Sequence, residues 1–167
     1  MAAEHDGSRA CAQAVTNRIF RVSSRGGTRM PAAAPVSVKV VLLRGDELLV
    51  LSDAGTGVGD LPGGRLEPGE VSGDWRAALL REIAEELGPH VRCDLEPWPR
   101  LAFPHRIAST GEEAVGVIYV GRWLAGEPIL SDEHDGLTWH PLRDGPPHWL
   151  QDTLLAAVSR LPEFVPG

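Results

Sequence analysis

Residues 61–88 have the sequence LPGGRLEPGEVSGDWRAALLREIAEELG, in which a glycine-rich turn leads into a charged segment. An apolar stripe recurs every four residues in the second half, and its members are Trp75, Leu79, Ile83 and Leu87. This period predicts an α-helix with one face in a core. Ser72 and Asp74 are the candidate N-caps, and the helix should end at Gly88, because Pro89 cannot continue it.

Three glutamates share one side of this predicted helix, next to the apolar stripe. They are Glu82, Glu85 and Glu86. Like charges three or four residues apart destabilise an isolated helix by about 0.2–0.5 kcal/mol per pair. A cluster of carboxylates beside a glycine-rich loop therefore indicates a site for a cation. Arg81 precedes Glu85 by one helical turn and can hold its carboxylate in an ion pair.

The composition is that of one globular domain with a substantial core. The chain has 167 residues, of which 43% are hydrophobic and 23% charged. Its net charge of −7 argues against a general nucleic-acid surface. No apolar run approaches the ~20 residues that cross a bilayer, so we expect no membrane segment and a cytoplasmic location. Cys11 and Cys93 are too few for a disulfide framework and are predicted to be buried free thiols.

The chain is predicted to divide into an N-terminal arm of residues 1–35 and a domain of residues 36–167. The arm is basic between Gly7 and Val36, where it has no acidic residue. It is interpreted as a flexible tail, or else as a short strand over residues 15–22 that packs on the domain or on a second subunit. A homodimer is therefore possible.

The domain itself alternates strands and helices without a regular βαβ repeat. Residues 36–52 predict a hairpin with its turn at Gly45-Asp46, and residues 114–124 predict a buried strand. The remaining predicted elements are a loop over 54–64 with a short extended piece at Leu61-Pro62, an edge strand broken by prolines over 91–107, an acidic loop and short strand over 130–142, and a second amphipathic helix over 148–161. The predicted class is α+β, an α/β/α sandwich with a mixed β-sheet between helices.

The residues of the opening stretch resemble the signature of the Nudix hydrolase family. Gly64 and Glu70 match the first part of that signature, and residues 81–88, REIAEELG, match the second part. Ten residues separate Glu70 from Arg81, three more than in the family pattern, and Pro89 replaces a final apolar residue. The extra residues lie where the loop meets the helix, so they should be absorbed there without rotating the helix face.

The resemblance implies Glu82, Glu85 and Glu86 as metal ligands, with Arg81 as their organiser. Glu70 then helps to fix the loop or binds a further metal. Carboxylates on one helical face suit Mg²⁺, with Mn²⁺ as a possible substitute. The Gly63 and Gly64 backbone can approach a phosphate closely, because no Cβ intervenes. The implied reaction is attack of water on a diphosphate linkage in a nucleoside diphosphate that is joined to another moiety.

A general base is expected outside the helix. The candidates are Glu112, Glu113 and Glu133, and Glu133 is slightly favoured. His134 can contact a phosphate or a base, although a histidine in a loop is usually exposed. Four aromatic residues can stack a base but are expected in the core instead, namely Trp98, Phe103, Trp123 and Trp139.

Two questions stay open at the level of sequence. The substrate is a small nucleotide, either a nucleoside triphosphate, such as an oxidised one, or a nucleotide of the ADP-ribose or dinucleotide type. The alternative to an enzyme is a non-catalytic Nudix-fold module that binds a nucleotide and regulates another process.

Overall fold

The structure is a computed structural model that describes residues 33–164. Most of the predicted N-terminal arm, with its alternative strand over 15–22 and with Cys11, lies outside the described residues. In the described range, neither α-helix is long and apolar enough to cross a membrane.

The described residues form seven strands, two α-helices and two short 3-10 helices. The strands are β1 (Val36–Arg44), β2 (Glu47–Asp53), β3 (Gly59–Asp60), β4 (Arg92–Leu95), β5 (Leu101–Arg106), β6 (Glu113–Ala125) and β7 (His134–Pro141). The α-helices are α1 (Trp75–Leu87) and α2 (Asp152–Val158), and the 3-10 helices are Leu142–Asp144 and Pro162–Phe164.

The strands form one mixed sheet around β1 and β6, which pair in parallel from Val36↔Val115 to Leu43↔Arg122. Along the sheet the order is β3, β2, β1, β6, β4, with β7 also paired to β2 and β5 also paired to β6. All pairings except β1 with β6 are antiparallel. The predicted mixed sheet is therefore confirmed.

Each α-helix covers one face of this sheet. Leu79, Ile83 and Leu87 of the apolar stripe are at most 2% exposed and pack on alternate residues of β1, β2 and β6, while Trp75 is partly buried beside them. The intervening strand residues pack on α2 in a second core. Burying each large aliphatic side chain contributes about 1.5–3 kcal/mol, which explains why this period determines the helix. The predicted α/β/α sandwich is confirmed.

The predicted hairpin forms, but β1 and β2 pair only near its turn, at Leu43↔Leu48 and Arg44↔Glu47. Further along the same edge of β1, the glycine-rich segment takes the place of β2. The Val38 N–H donates to the Gly64 carbonyl and the Val40 N–H to the Pro62 carbonyl, both at 2.9 Å. The loop predicted over 54–64 is thus partly regular, since Gly59–Asp60 form β3 and the segment that follows lies on β1.

The second helix is shorter than predicted, with α2 covering only Asp152–Val158 of the expected range 148–161. Backbone groups before α2 are used to bind the β3 strand instead. The Gly59 N–H donates to the Trp149 carbonyl, and the Gln151 N–H donates to the Gly59 carbonyl, each at 2.9 Å. An amphipathic period cannot reveal this competing partner, because it lies far away in the sequence.

The segment before β6 agrees with the predicted edge strand. β5 contains Pro104 and pairs only with β6 among the described strands, while Pro97 and Pro99 lie between β4 and β5. Cys93 in β4 carries a free thiol, as predicted, but it is only half-buried.

α1 has an N-cap at Asp74, one of the two predicted candidates. Its side-chain Oδ1 accepts a hydrogen bond from the Arg76 N–H at 2.9 Å. The helix ends at Leu87, and Gly88 has a φ of 88°, a conformation that favours glycine.

Replacing Asp74 by Ala should lower the free energy of unfolding by about 1 kcal/mol, because an N–H in the first turn of α1 loses its acceptor. Urea unfolding followed by circular dichroism measures the change. Ser72→Ala is the matched control and should leave the unfolding midpoint in place. An equal loss in both variants would contradict Asp74 as the cap.

Candidate functional site

The polar side of α1 faces a cleft of about 1000 Å³. The glycine-rich segment and the start of β7 form its walls together with the loop after β2 and the end of β5. The residues that line it include Gly64, Arg81, Glu82, Glu85, Glu86, His105, Glu133 and His134. The structure therefore brings the predicted helix glutamates and the favoured Glu133 to one cavity.

Glu86 is the most deeply buried acid of this cluster, with 5% of its surface exposed. Its Oε2 accepts a hydrogen bond from the Gly63 N–H at 2.8 Å. Burial raises the pKa of Glu86 to about 8, although nearby Lys39 and the Gly63 N–H oppose that shift. A cation that binds beside a carboxylate buried in this way would stabilise its charged form.

Both glycines next to Glu86 are required by close approach to protein groups. Gly63 has a φ of 125°, and a Cβ there would lie 2.1 Å from the Val38 carbonyl oxygen. A Cβ on Gly64 would lie 2.5 Å from the Glu82 carboxylate. The Gly63 N–H already binds Glu86, so the predicted contact of this N–H with phosphate stays a prediction. In the structure, the two glycines allow the loop to approach the carboxylates of α1 closely.

Lys39 lies beneath the glycine-rich segment and is the single lysine of the chain. Its Nζ is bonded to the Asp60 carboxylate at 2.8 Å, to the Leu61 carbonyl at 3.0 Å and to the Gly63 carbonyl at 2.6 Å. Burial would lower the pKa of Lys39, but Asp60 and Glu86 outweigh it and the pKa is raised. Lys39 is not among the site residues predicted from the sequence, although a lysine within an apolar strand is an available signal.

Arg81 holds the exposed side of the acidic cluster. Its Nε and one terminal nitrogen contact the two Glu70 oxygens at 3.2 and 3.1 Å. The same guanidinium lies 3.0 Å from the Glu82 carboxylate and 3.1 Å from that of Glu85. The hydrogen bond between Arg81 and Glu70 is the main reason that the pKa of Arg81 is raised. The same hydrogen bond is the main reason that the pKa of Glu70 is lowered. Glu70 thus reaches Arg81 despite the three extra residues.

The extra residues fold into two successive turns before α1. The Glu70 N–H donates to the Glu67 carbonyl at 3.0 Å, and the Gly73 N–H donates to the Glu70 carbonyl at 2.9 Å. The Trp75 indole then donates to the Val71 carbonyl at 3.0 Å. These local bonds hold the segment that contains the extra residues, and α1 begins directly after it at Trp75.

The turn before β7 and the first residue of β7 supply two neighbouring residues to the cleft, Glu133 and His134. Glu133 is exposed there, whereas Glu112 and Glu113 do not line the cleft. His134 is 7% exposed, so the expectation of an exposed loop histidine is wrong. Its Nε2 lies 4.0 Å from the nearer Glu86 oxygen, and burial lowers the pKa of the imidazole. His134 is buried because it begins a strand that pairs with β2 at Asp53.

His105 is a cleft residue that the sequence did not indicate. It lies on β5 and is 7% exposed, with Nδ1 at 3.0 Å from the Thr153 hydroxyl. None of the four aromatic candidates for stacking lines the cleft. Phe103 is in the core as expected, and Trp123 and Trp139 pack against each other, but Trp98 is 77% exposed, which corrects the expectation for that residue.

The donor set fits a hard divalent cation in its chemistry. Glu82, Glu85 and Glu86 supply oxygen ligands from one helix face. Burial raises the pKa of both Glu82 and Glu86 although Arg81 and Lys39 oppose that shift. Within residues 33–164, no three acidic or histidine side chains are already arranged around one point. Glu82 and Glu85 contact Arg81 instead, so binding a cation requires these two side chains to turn.

Comparison with protein families identifies the chain. The model of the NUDIX domain matches residues 33–159. Since this match covers most of the chain, the protein belongs to the Nudix family. The sequence-based prediction of a Nudix-type pyrophosphohydrolase, a hydrolase that acts on acid anhydrides, is confirmed at this level.

Solved structures support the same fold. The MutT protein of Methanosarcina mazei has a TM-score of 0.63 at 20% identity, covering 79% of this chain and 95% of that one. A MutT NUDIX hydrolase of Burkholderia pseudomallei has a TM-score of 0.60 at 26% identity, covering 78% and 99%. A possible asymmetric diadenosine tetraphosphate hydrolase of Jonesia denitrificans has a TM-score of 0.61 at 19% identity, covering 77% and 92%. No curated protein matches the chain significantly.

Proposed function

We propose that this protein hydrolyses a diphosphate linkage in a nucleoside diphosphate that is joined to another moiety, with Mg²⁺ as its cofactor and Mn²⁺ as a possible substitute. The domain that does so is assigned to residues 36–167. The observation that carries the proposal is the buried Glu86, held by the Gly63 N–H and placed in one cleft with Glu82 and Glu85. The homodimer and the cytoplasmic location stay predictions.

The residues of the site have distinct proposed roles. Glu82, Glu85 and Glu86 hold the metal, which when bound neutralises phosphate charge and makes a coordinated water more acidic. Arg81 positions Glu82 and Glu85, and Glu70 positions Arg81. Glu133 is the proposed general base, because it is the one candidate of the three that lines the cleft.

The similar structures include proteins whose names refer to MutT and to a possible diadenosine tetraphosphate hydrolase. We infer from these names a substrate with a nucleoside at one end of a phosphate chain. The cleft of about 1000 Å³ is large enough for such a molecule. Both the nucleoside triphosphate and the dinucleotide types remain within the proposal.

A panel of nucleotides tests the activity. Release of phosphate, pyrophosphate or nucleoside monophosphate is measured with Mg²⁺, with Mn²⁺ and with a chelator. Hydrolysis of at least one nucleotide that disappears with the chelator is the expected result. If all nucleotides bind but none is hydrolysed with either metal, the alternative of a regulatory nucleotide-binding module replaces the proposal.

Replacing Glu70 by Gln should lower kcat about tenfold while the Mg²⁺ concentration for half-maximal rate stays within about twofold, because Glu70 acts through Arg81. Glu82→Gln is the matched comparison and should raise the Mg²⁺ requirement at least about tenfold. Titrating the initial rate with Mg²⁺ measures both effects. If Glu70→Gln raised the Mg²⁺ requirement as strongly as Glu82→Gln, Glu70 would be a ligand of a further metal instead.

A further inference from the structure

A chain of hydrogen bonds runs from Gln151, which lines the cleft, through Thr153 and ends at the imidazole ring of His105. The Gln151 side-chain nitrogen donates to the Arg106 carbonyl. This contact orients the amide, because a carbonyl can only accept, so the Gln151 Oε1 is left as an acceptor. The Thr153 hydroxyl donates to that oxygen at 3.1 Å.

The direction of this chain determines the tautomer of His105. The Thr153 hydroxyl has one hydrogen and gives it to Gln151, so its oxygen must accept at the contact with Nδ1, which is 3.0 Å long. Nδ1 therefore carries the proton. Burial lowers the pKa of His105, nearby Lys39 lowers it further and Asp60 opposes them, so the net shift favours the neutral ring. In this neutral tautomer, Nε2 has a lone pair and no proton.

The position of Thr153 indicates where that lone pair points. Thr153 and His105 both line a smaller neighbouring cavity, and of these two residues only His105 also lines the cleft. Nδ1 and Nε2 are separated by one ring carbon and point in divergent directions, so with Nδ1 on Thr153 we place Nε2 on the side of the cleft. Phe103 packs against the ring at 5.4 Å between centroids and limits its rotation. Within residues 33–164, no hydrogen-bonding partner is found for Nε2.

We propose that Nε2 of His105 accepts a hydrogen bond from the substrate and thereby selects the uncharged nucleoside at this end of the cleft. The proposal deepens the proposed function and rests on it. The matching group is a hydrogen-bond donor, either an N–H of the base or a hydroxyl of the ribose. An ionised phosphate has no proton to donate, and its oxygens are repelled by a fixed lone pair. Recognition by hydrogen bonding also suits a cleft that no Trp, Phe or Tyr of the described residues lines.

The tautomer is tested without any substrate. NMR of the full chain labelled with ¹⁵N-histidine reports which ring nitrogen is protonated, and His105→Asn assigns the signals. We expect a neutral His105 at pH 7 with its proton on Nδ1, and we expect Thr153→Val to mix the two tautomers. A proton on Nε2, or a charged ring at pH 7, would overturn the proposal even if the enzyme hydrolyses nucleotides.

The substrate contact is tested by pairing a protein variant with substrate analogues. His105→Phe keeps the ring shape and removes the acceptor, and should reduce kcat/KM about 10- to 100-fold for the best nucleotide of the panel. The 2′-deoxy, 3′-deoxy and N-methylated-base analogues each remove one donor. With the analogue that lacks the recognised donor, wild type and His105→Phe should have the same kcat/KM. The identity of that analogue shows whether the donor is on the ribose or on the base. An equal loss with every analogue would overturn the contact, and a panel with no hydrolysis at all would overturn it together with the proposed function.

Discussion

Glu86→Gln should reduce the rate of hydrolysis about 10²- to 10³-fold while the protein stays folded. A metal at a phosphate oxygen contributes several kcal/mol to transition-state stabilisation, and each 1.36 kcal/mol is about a factor of ten in rate. Gln has nearly the same shape and its amide oxygen can still accept the hydrogen bond from the Gly63 N–H. The charge for the metal is lost, but the packing and the bond that hold the side chain are kept.

Initial rates with the best nucleotide measure the effect, and thermal unfolding without metal shows that the fold is intact. Glu112→Gln removes an equal charge from an exposed position outside the cleft and should retain full activity. Mn²⁺ binding, followed by electron paramagnetic resonance, should weaken in Glu86→Gln and stay unchanged in Glu112→Gln. A folded Glu86→Gln protein with more than about a tenth of wild-type activity would contradict Glu86 as a ligand.

The parts of the fold that the sequence predicts well are those in which a local period decides the structure. The apolar stripe defines α1, because three of its members are buried against the sheet. Asp74 caps this helix and Gly88 follows its end, as the residue types indicate. The helix glutamates could be placed on one face for the same reason, since a fixed helical spacing brings them together.

The parts that the sequence could not predict depend on distant pairings. α2 starts late because Gly59 binds the backbone before it. His105 is buried because β5 pairs with β6, and His134 is buried because β7 pairs with β2. The residues around each histidine do not indicate which strand it pairs with. The contacts of the glycines with protein groups could not be predicted for a related reason. The segment at Gly63 lies on β1 and contacts Glu86, so its closest neighbours are protein groups.

Lys39→Met should lower the free energy of unfolding by about 3 kcal/mol and reduce activity as well. The ammonium group is buried and makes three hydrogen bonds, so its removal takes the donor from the Asp60 Oδ2 and from two carbonyls, while the Asp60 Oδ1 keeps the Leu61 N–H. Removing one partner of a buried ion pair typically destabilises by about 3–5 kcal/mol, and the 27% exposure of the Asp60 side chain places this case at the lower end. Urea unfolding measures the loss of stability.

Activity should fall in Lys39→Met because the lysine holds the Gly63 carbonyl, while the N–H of the same residue holds Glu86. The double variant Lys39→Met with Asp60→Asn separates the two effects. Removing the Asp60 charge relieves the unpaired carboxylate, so the double variant should be more stable than the sum of the two single losses implies. Its activity should stay low, since the Gly63 carbonyl still lacks its donor. Additive losses of stability would show that Lys39 does not pair with Asp60. Full activity in a folded Lys39→Met protein would show that Lys39 does not position the glycine-rich segment beneath Glu86.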